Sequence, residues 1–156
     1  MTTIAHLTSV HRRNDTRVFL KECRSLAEAG YDVVLLVADG RGDDRVDGVR
    51  VQDVGRGSGV RGRLGAAIRI LRAARQLNAA VFHLHDPELL PLGWVLRRGG
   101  RTVVFDAHED LPAQLISKPY LGPRRRRVLA FAMLRLERSV CGRLDAVIAA
   151  TPAIGC

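Results

Sequence analysis

Two short apolar runs each end in a knot of titratable side chains. Val81-Phe82-His83-Leu84 leads into His85-Asp86-Pro87-Glu88, and Val103-Val104-Phe105 leads into Asp106-Ala107-His108-Glu109-Asp110. An imidazole at such a point donates to a sugar hydroxyl or a phosphate oxygen, and a carboxylate accepts from hydroxyls. Asp86 precedes Pro87, so it either caps a helix or faces a ligand, and His85 either packs or binds. Asp106, His108, Glu109 and Asp110 have no cap to make, which marks them as a polar site with His108 at its head. His83 and His85 share a metal-ligand spacing, but no firm third ligand accompanies them in the sequence, so no metal site is expected.

A second constellation lies near the N-terminus, in Ser9-Val10-His11-Arg12-Arg13-Asn14-Asp15-Thr16-Arg17. It joins a strand to a helix start, a natural place for an anion. Without glycines it carries neither a dinucleotide fingerprint nor a phosphate-binding P-loop. Arg12, Arg13 and Arg17 can each meet a phosphate bidentately, and a solvated basic loop is the equal alternative.

The elements that must hold these groups follow from periodicity. Ile4 to Leu7, Val33 to Ala38, Val81 to Leu84, Thr102 to Phe105 and Ala146 to Ala149 are apolar strand runs, while Val49 to Val54 alternates like a strand near an edge. Asp15 caps a helix marked by Phe19, Cys23, Leu26 and Ala27 and stopped by Gly30. Gly40 to Gly48 is a polar turn region. Gly55 to Gly65 is a flexible, glycine-rich connection. A second helix follows, with Leu64, Ala67, Ile68, Leu71 and Ala74 on one side and Arg69, Arg72 and Arg75 opposite. A third carries Leu89, Leu90, Leu92 and Trp94 to Gly99-Gly100, and a fourth runs from about Pro123 to Arg143. Strands alternating with helices predict an α/β fold, a Rossmann-like doubly wound and mostly parallel sheet flanked by helices, in one domain over 1–156. Such sheets bind ligands beyond the carboxyl ends of their strands, so the two knots form walls of one crevice.

Composition narrows the partners. The 156 residues carry a formal net charge of +9, and all basic residues but Lys21 and Lys118 are arginine. That balance favours phosphates, nucleic acid or an anionic membrane surface. Aromatics at 4% and the scarcity of lysine argue against nucleic acid. No apolar run approaches the roughly 20 residues of a membrane span. Three widely spaced cysteines (Cys23, Cys141, Cys156) fit reduced thiols in a cytoplasmic protein. On the last helix, Leu129, Met133, Leu136 and Val140 form a core stripe. Arg124, Arg127, Arg135 and Arg138 fall opposite, around Phe131, as on a helix lying at a membrane surface. A neighbouring domain covering Phe131 is the equal alternative.

Taken together, the pieces resemble the N-terminal, acceptor-side half of a GT-B-fold glycosyltransferase of the retaining family-4 (group 1) type. They are Asp15-Thr16-Arg17-Val18, Ser25-Leu26-Ala27-Glu28-Ala29-Gly30, Tyr31-Asp32-Val33, His85-Asp86-Pro87-Glu88-Leu89, Phe105-Asp106-Ala107-His108-Glu109 and Asp145-Ala146-Val147-Ile148-Ala149-Ala150-Thr151. The resemblance implies two Rossmann-like domains facing across a cleft, the N-terminal one binding a sugar or lipid-linked acceptor and the C-terminal one a nucleotide-sugar. It implies transfer with retention, the nucleotide-sugar as co-substrate, and neither metal nor other cofactor. His108 then contacts the transferred sugar as the catalytic residue. His11, Arg13, Asp15 and Arg17 approach the donor phosphates and the acceptor, and His85, Asp86, Asp106 and Glu109 line the substrate side. Many members carry Gly-Gly in the first loop; here side chains must substitute. Members acting on lipid-linked acceptors dock through basic, apolar helices, which suits Phe131 and its arginines and a peripheral place at the inner membrane face. The glutamate pair of a donor domain is missing, so that C-terminal domain of the same protein is expected outside this chain, and the chain alone is expected to be inactive. A nucleotide-sugar 2-epimerase of the same fold and a non-catalytic anion- or membrane-binding module are the alternatives.

Overall fold

The apolar runs assemble into one seven-stranded sheet. The computed structural model describes residues 1–107 and 122–149. In chain order the elements are β1 (Thr3–Leu7), a π-helical stretch Thr16–Cys23 continuing as α-helix Arg24–Glu28 (together α1), β2 (Asp32–Val37), β3 (Asp44–Val46), β4 (Val49–Asp53), α2 (Gly59–Gln76), β5 (Val81–Leu84), a 3₁₀ turn Pro87–Leu89 entering α3 (Leu90–Arg98), β6 (Thr102–Ala107), α4 (Pro123–Cys141) and β7 (Ala146–Ala149). The sheet order is β3-β4-β2-β1-β5-β6-β7. Every pairing is parallel except β3 with β4. This is the doubly wound Rossmann-like architecture expected, and its strand order reverses between β1 and β5, where such sheets open a crevice.

Successive side chains on a strand point to opposite faces, so each strand feeds two cores. Ala5, Leu7, Val34, Leu36, Phe82, Leu84, Val103 and Phe105 face α2 and α3, with Val140 and Cys141 of α4. Val33, Leu35, Val37, Val49 and Val51 face Val18, Phe19 and Cys23 of α1. On that second face, β1, β5 and β6 carry His6, His83, His85 and Asp106 instead.

The helix faces differ in part from expectation. On α2 the buried residues are Ala66, Ala67, Ile70 and Ala74, while Leu64 is 64% exposed and Ile68 43%. Small alanines let the helix approach the sheet, and the larger residues turn outward. α3 comes close to β5 at Gly93, where a Cβ would lie 2.5 Å from Leu84 Cδ1. Trp94 is partly exposed. On α4, Ala130, Val140 and Cys141 are buried and Leu136 packs on the core, but Leu129 of the expected core stripe is exposed.

Two connections are also more ordered than expected. β4 lies next to the edge of the sheet, as its alternation indicated, and part of the region taken as a polar turn forms the edge strand β3, joined to it by a two-residue turn, Asp47 (φ 48°) and Gly48 (φ 80°). Both positions need positive φ, which an Asp-Gly pair supplies in a type I′ hairpin. The glycine-rich connection becomes helix from Gly59 onward. A Cβ on Gly57 would collide with the Gly62 carbonyl, so glycine is required where this turn closes.

Candidate functional site

The carboxyl ends of β1, β5 and β6 lie side by side, and each delivers polar groups to the same edge. Asp86 follows β5 and is almost completely buried. It makes no side-chain cap to the helix that follows. Its Oδ2 instead accepts from Thr8 Oγ1 (2.8 Å), the Ser9 amide (2.6 Å), Ser9 Oγ (3.3 Å) and the Val10 amide (3.3 Å). The first loop, lacking glycines, is folded around a carboxylate from the neighbouring strand. Ser9 Oγ also donates to Glu88 (2.8 Å).

His11 bridges this centre to the helix start: its Nε2 lies 3.4 Å from Asp86 Oδ1 and its Nδ1 3.3 Å from Asp15 Oδ2. Asp15 caps α1 as expected, accepting from the amides of Arg17 and Val18. Burial raises the Asp15 pKa, but those amides and His11 outweigh it and hold the carboxyl below its ordinary value. Arg13 turns away toward β2, donating through Nε (2.8 Å) and Nη2 (2.7 Å) to Asp39 and through Nη2 to the Gly42 carbonyl. Its bidentate partner is thus a carboxylate of the protein itself. Arg17 reaches across to β6, where its Nη2 donates to buried Asp106 at 2.9 and 3.1 Å.

Beside this loop opens a cavity of about 340 Å³ at the ends of β1 and β2. Ser9, His11, Arg12, Arg41, Arg56 and Arg63 are among its lining residues. Arg41 comes from the segment that the sequence presented as a polar turn, and Arg56 and Arg63 from the one it presented as a flexible connection. The arginine-glycine alternation was their signal, but only the sheet order places them opposite Arg12. Asp39 lines the cavity too, but its carboxylate is taken by Arg13, so four arginines around one cavity favour an anion.

A second polar group lies between α1 and the sheet, with His6 and His85 buried and His83 and Glu22 half-buried. His6 of β1 sits in register with His83 of β5, and His85 extends the same face. His6 Nδ1 and His85 Nε2 share a 2.8 Å hydrogen bond, and the two rings stack at 5.1 Å between centroids. Burial, then the neighbouring His83, lowers the His6 pKa to about 3, so the ring is neutral. Glu22 of α1 closes the group, its Oε2 3.8–3.9 Å from a ring nitrogen of each of the three histidines. Burial and a hydrogen bond with Asp106 raise the Glu22 pKa to about 8. The third and fourth partners that the His83–His85 pair lacked in sequence are therefore His6 and Glu22. His85 belongs to this buried cluster, its side chain closed to solvent.

The structure thus gathers His11, Asp15, Arg17, Asp86 and Asp106 along one edge, puts Arg13 to a neighbouring carboxylate and draws His85 beneath the sheet. His108 and Glu109 lie outside the described residues. Arg124, Arg127, Phe131, Arg135 and Arg138 are exposed on α4, and Phe131 is 62% exposed. Among the described residues no helix is long and apolar enough to cross a membrane.

A family model for the glycosyl transferase 4-like domain matches residues 16–155. Among solved structures, the fold is similar to that of sucrose-phosphate synthase from Thermosynechococcus elongatus, with a TM-score of 0.74 and 12% identity. That likeness covers 97% of this chain and 43% of the synthase chain, so the chain spans less than half of that protein. Among curated proteins, none matches the sequence.

Proposed function

The chain belongs to the glycosyl transferase 4-like family, and on that premise we propose that it forms the acceptor-side wall of a glycosyltransferase cleft. The arginine-lined cavity beside the crevice carries this reading: Arg12, Arg41, Arg56 and Arg63 around Ser9 and His11 suit a phosphorylated group, either the diphosphate of a nucleotide-sugar or a phosphate on the acceptor. A departing nucleoside diphosphate requires fixed positive charge and donors around it. Arg17, anchored on Asp106, and His11, held between Asp15 and Asp86, keep the intervening loop in one shape. Transfer with retention, without a metal in the reaction, and with His108 and Glu109 beside the transferred sugar belongs to the same proposal. The nucleotide-sugar is held mainly by a second domain, so the chain alone does not turn over.

Calorimetric titration with pyrophosphate and with a sugar phosphate tests the cavity and separates the two sources. Binding to at least one probe, weakened at least tenfold in Arg56→Ala/Arg63→Ala and steeply by salt, is expected. No binding of either probe, or binding indifferent to the double substitution, overturns the assignment. Rapid turnover of a nucleotide-sugar by the isolated chain overturns the need for a second domain.

The exposed face of α4 supports peripheral attachment to an anionic membrane. Val128, Leu129 and Phe131 are open to solvent among Arg124, Arg127, Arg135 and Arg138, the mix that an interfacial helix presents. Sedimentation with anionic vesicles, expected for the wild type and lost in Phe131→Glu, checks it. Equal binding to neutral vesicles removes the electrostatic basis.

A further inference from the structure

The buried histidine cluster has no part in the proposed transfer, and it concentrates metal-binding chemistry. His6, His83, His85 and Glu22 each offer one ligand atom, and those atoms all lie within 4.8 Å of one another. Three come from one face of adjacent strands β1 and β5, the fourth from the helix packed over them. In a tetrahedral site with bonds of about 2.0–2.1 Å, ligand atoms lie about 3.3 Å apart. The separations of 3.8–3.9 Å from Glu22 Oε2 and 2.8 Å between His6 Nδ1 and His85 Nε2 bracket that value. Ligand atoms as far as 4.8 Å apart reach that spacing with side-chain shifts of about 1 Å and release of the His6–His85 hydrogen bond, within rotamer freedom.

The wiring of Glu22 agrees. Glu22 Oε2, the atom facing all three imidazoles, is buried with no hydrogen-bond partner, although an unsatisfied buried polar atom costs about 1–3 kcal/mol. The other Glu22 oxygen, Oε1, is turned to Arg17 Nε at 3.5 Å. One oxygen is thus supported from behind and the other aimed into the cluster, as for a ligating carboxylate with its outer partners.

We propose that His6, His83, His85 and Glu22 bind one divalent transition-metal ion of the zinc class. Three imidazoles and a carboxylate favour such an ion over magnesium or calcium, which require mostly oxygen ligands. The ion ties α1 to β1 and β5 where the strand order reverses, and so fixes Arg17 against Asp106. It lies beneath the sheet edge, and its role is structural.

The test uses the full chain, stripped with chelator and dialysed against Zn²⁺ or Co²⁺. The wild type is expected to retain one Zn²⁺ per chain by elemental analysis. With Co²⁺ it is expected to show the visible d–d bands of a four-coordinate site, bleached by Zn²⁺. His6 is buried deeply enough that its removal threatens folding, so the variants are Glu22→Gln and His83→Gln, with folding checked by circular dichroism. Each is expected to weaken Zn²⁺ more than about 100-fold, beyond the 10–100-fold that loss of an outer-shell partner costs. A folded wild type that retains no stoichiometric Zn²⁺, Co²⁺ without those bands, or Zn²⁺ held equally by a folded Glu22→Gln overturns the site. None of these outcomes touches the arginine cavity, so the two proposals fail separately.

Discussion

Helix α1 lays two unlike surfaces on one face of the sheet. Toward β2 and β4, Val18, Phe19 and Cys23 meet Val33, Leu35, Val37, Val49 and Val51. Toward β1, β5 and β6, Arg17 and Glu22 meet Asp106, His6, His83 and His85. The apolar half is stabilised by area removed from water, which is additive and tolerant of direction. The polar half depends on partners, because each buried donor or acceptor costs free energy unless it is bonded. Sequences break local consistency mainly at functional sites. The polar half occupies the switch point between β1 and β5, where sheets of this kind open a crevice.

The contrast can be broken from either side. The largest effect is expected on the apolar side: Phe19→Ala should cost about 3–5 kcal/mol in urea unfolding, as removal of a buried aromatic does, while anion binding at the cavity persists in the folded fraction. On the polar side, Asp106→Ala deletes the acceptor of Arg17 and a partner of Glu22. A cost of about 1.5–3 kcal/mol is expected, accompanied by weaker pyrophosphate binding as the loop loses its anchor. If Asp106→Ala proved the costlier change, the division into a half held by buried area and a half held by specific partners would be wrong.

Smaller effects concern the rim. Asp39 is held below its ordinary carboxyl value by hydrogen bonds from Arg13. A depressed folded pKa adds stability above the unfolded value of 3.8 and loses it as pH falls through the folded value. Arg13→Ala should therefore lower Tm at neutral pH, by about 1–3 kcal/mol in stability, and flatten the acid limb of the Tm–pH curve below about pH 4. An unchanged acid limb would show that Asp39 does not draw its charge stabilisation from Arg13. The least effect is expected from Arg50→Ala, whose pair with Asp32 at 2.7 Å is solvent-exposed. Such pairs contribute about 0–1 kcal/mol, so a larger loss would mean that the edge of the sheet is tighter than its exposure implies.

Much of this was legible before any coordinates. β5 and β7 begin and end where their apolar runs do, and Asp15 caps α1 as its position before Arg17-Val18 indicates. Asp86 was misleading because Asp-Pro is a strong local helix signal, and only the neighbouring loop shows that its carboxylate is used elsewhere. Leu64 and Ile68 were placed inside because periodicity ranks residues by hydrophobicity, whereas close helix–sheet packing selects alanine. Arg13 looked like a phosphate ligand until Asp39, at the end of the next strand, took its guanidinium.

By itself the chain order of apolar runs, caps and breakers determined the elements, their alternation and hence the parallel doubly wound sheet, since those are set by local sterics and by period. It also determined that His, Asp and Glu would gather at strand ends. Which of them meet was decided only by tertiary structure. His6 and His83 are far apart in the chain and adjacent in register, and Glu22 joins them because a helix whose apolar side faces β2 must turn its other side toward β1 and β5. Local periodicity carries no information on strand order, and strand order is what brings one buried cluster and one arginine cavity into being.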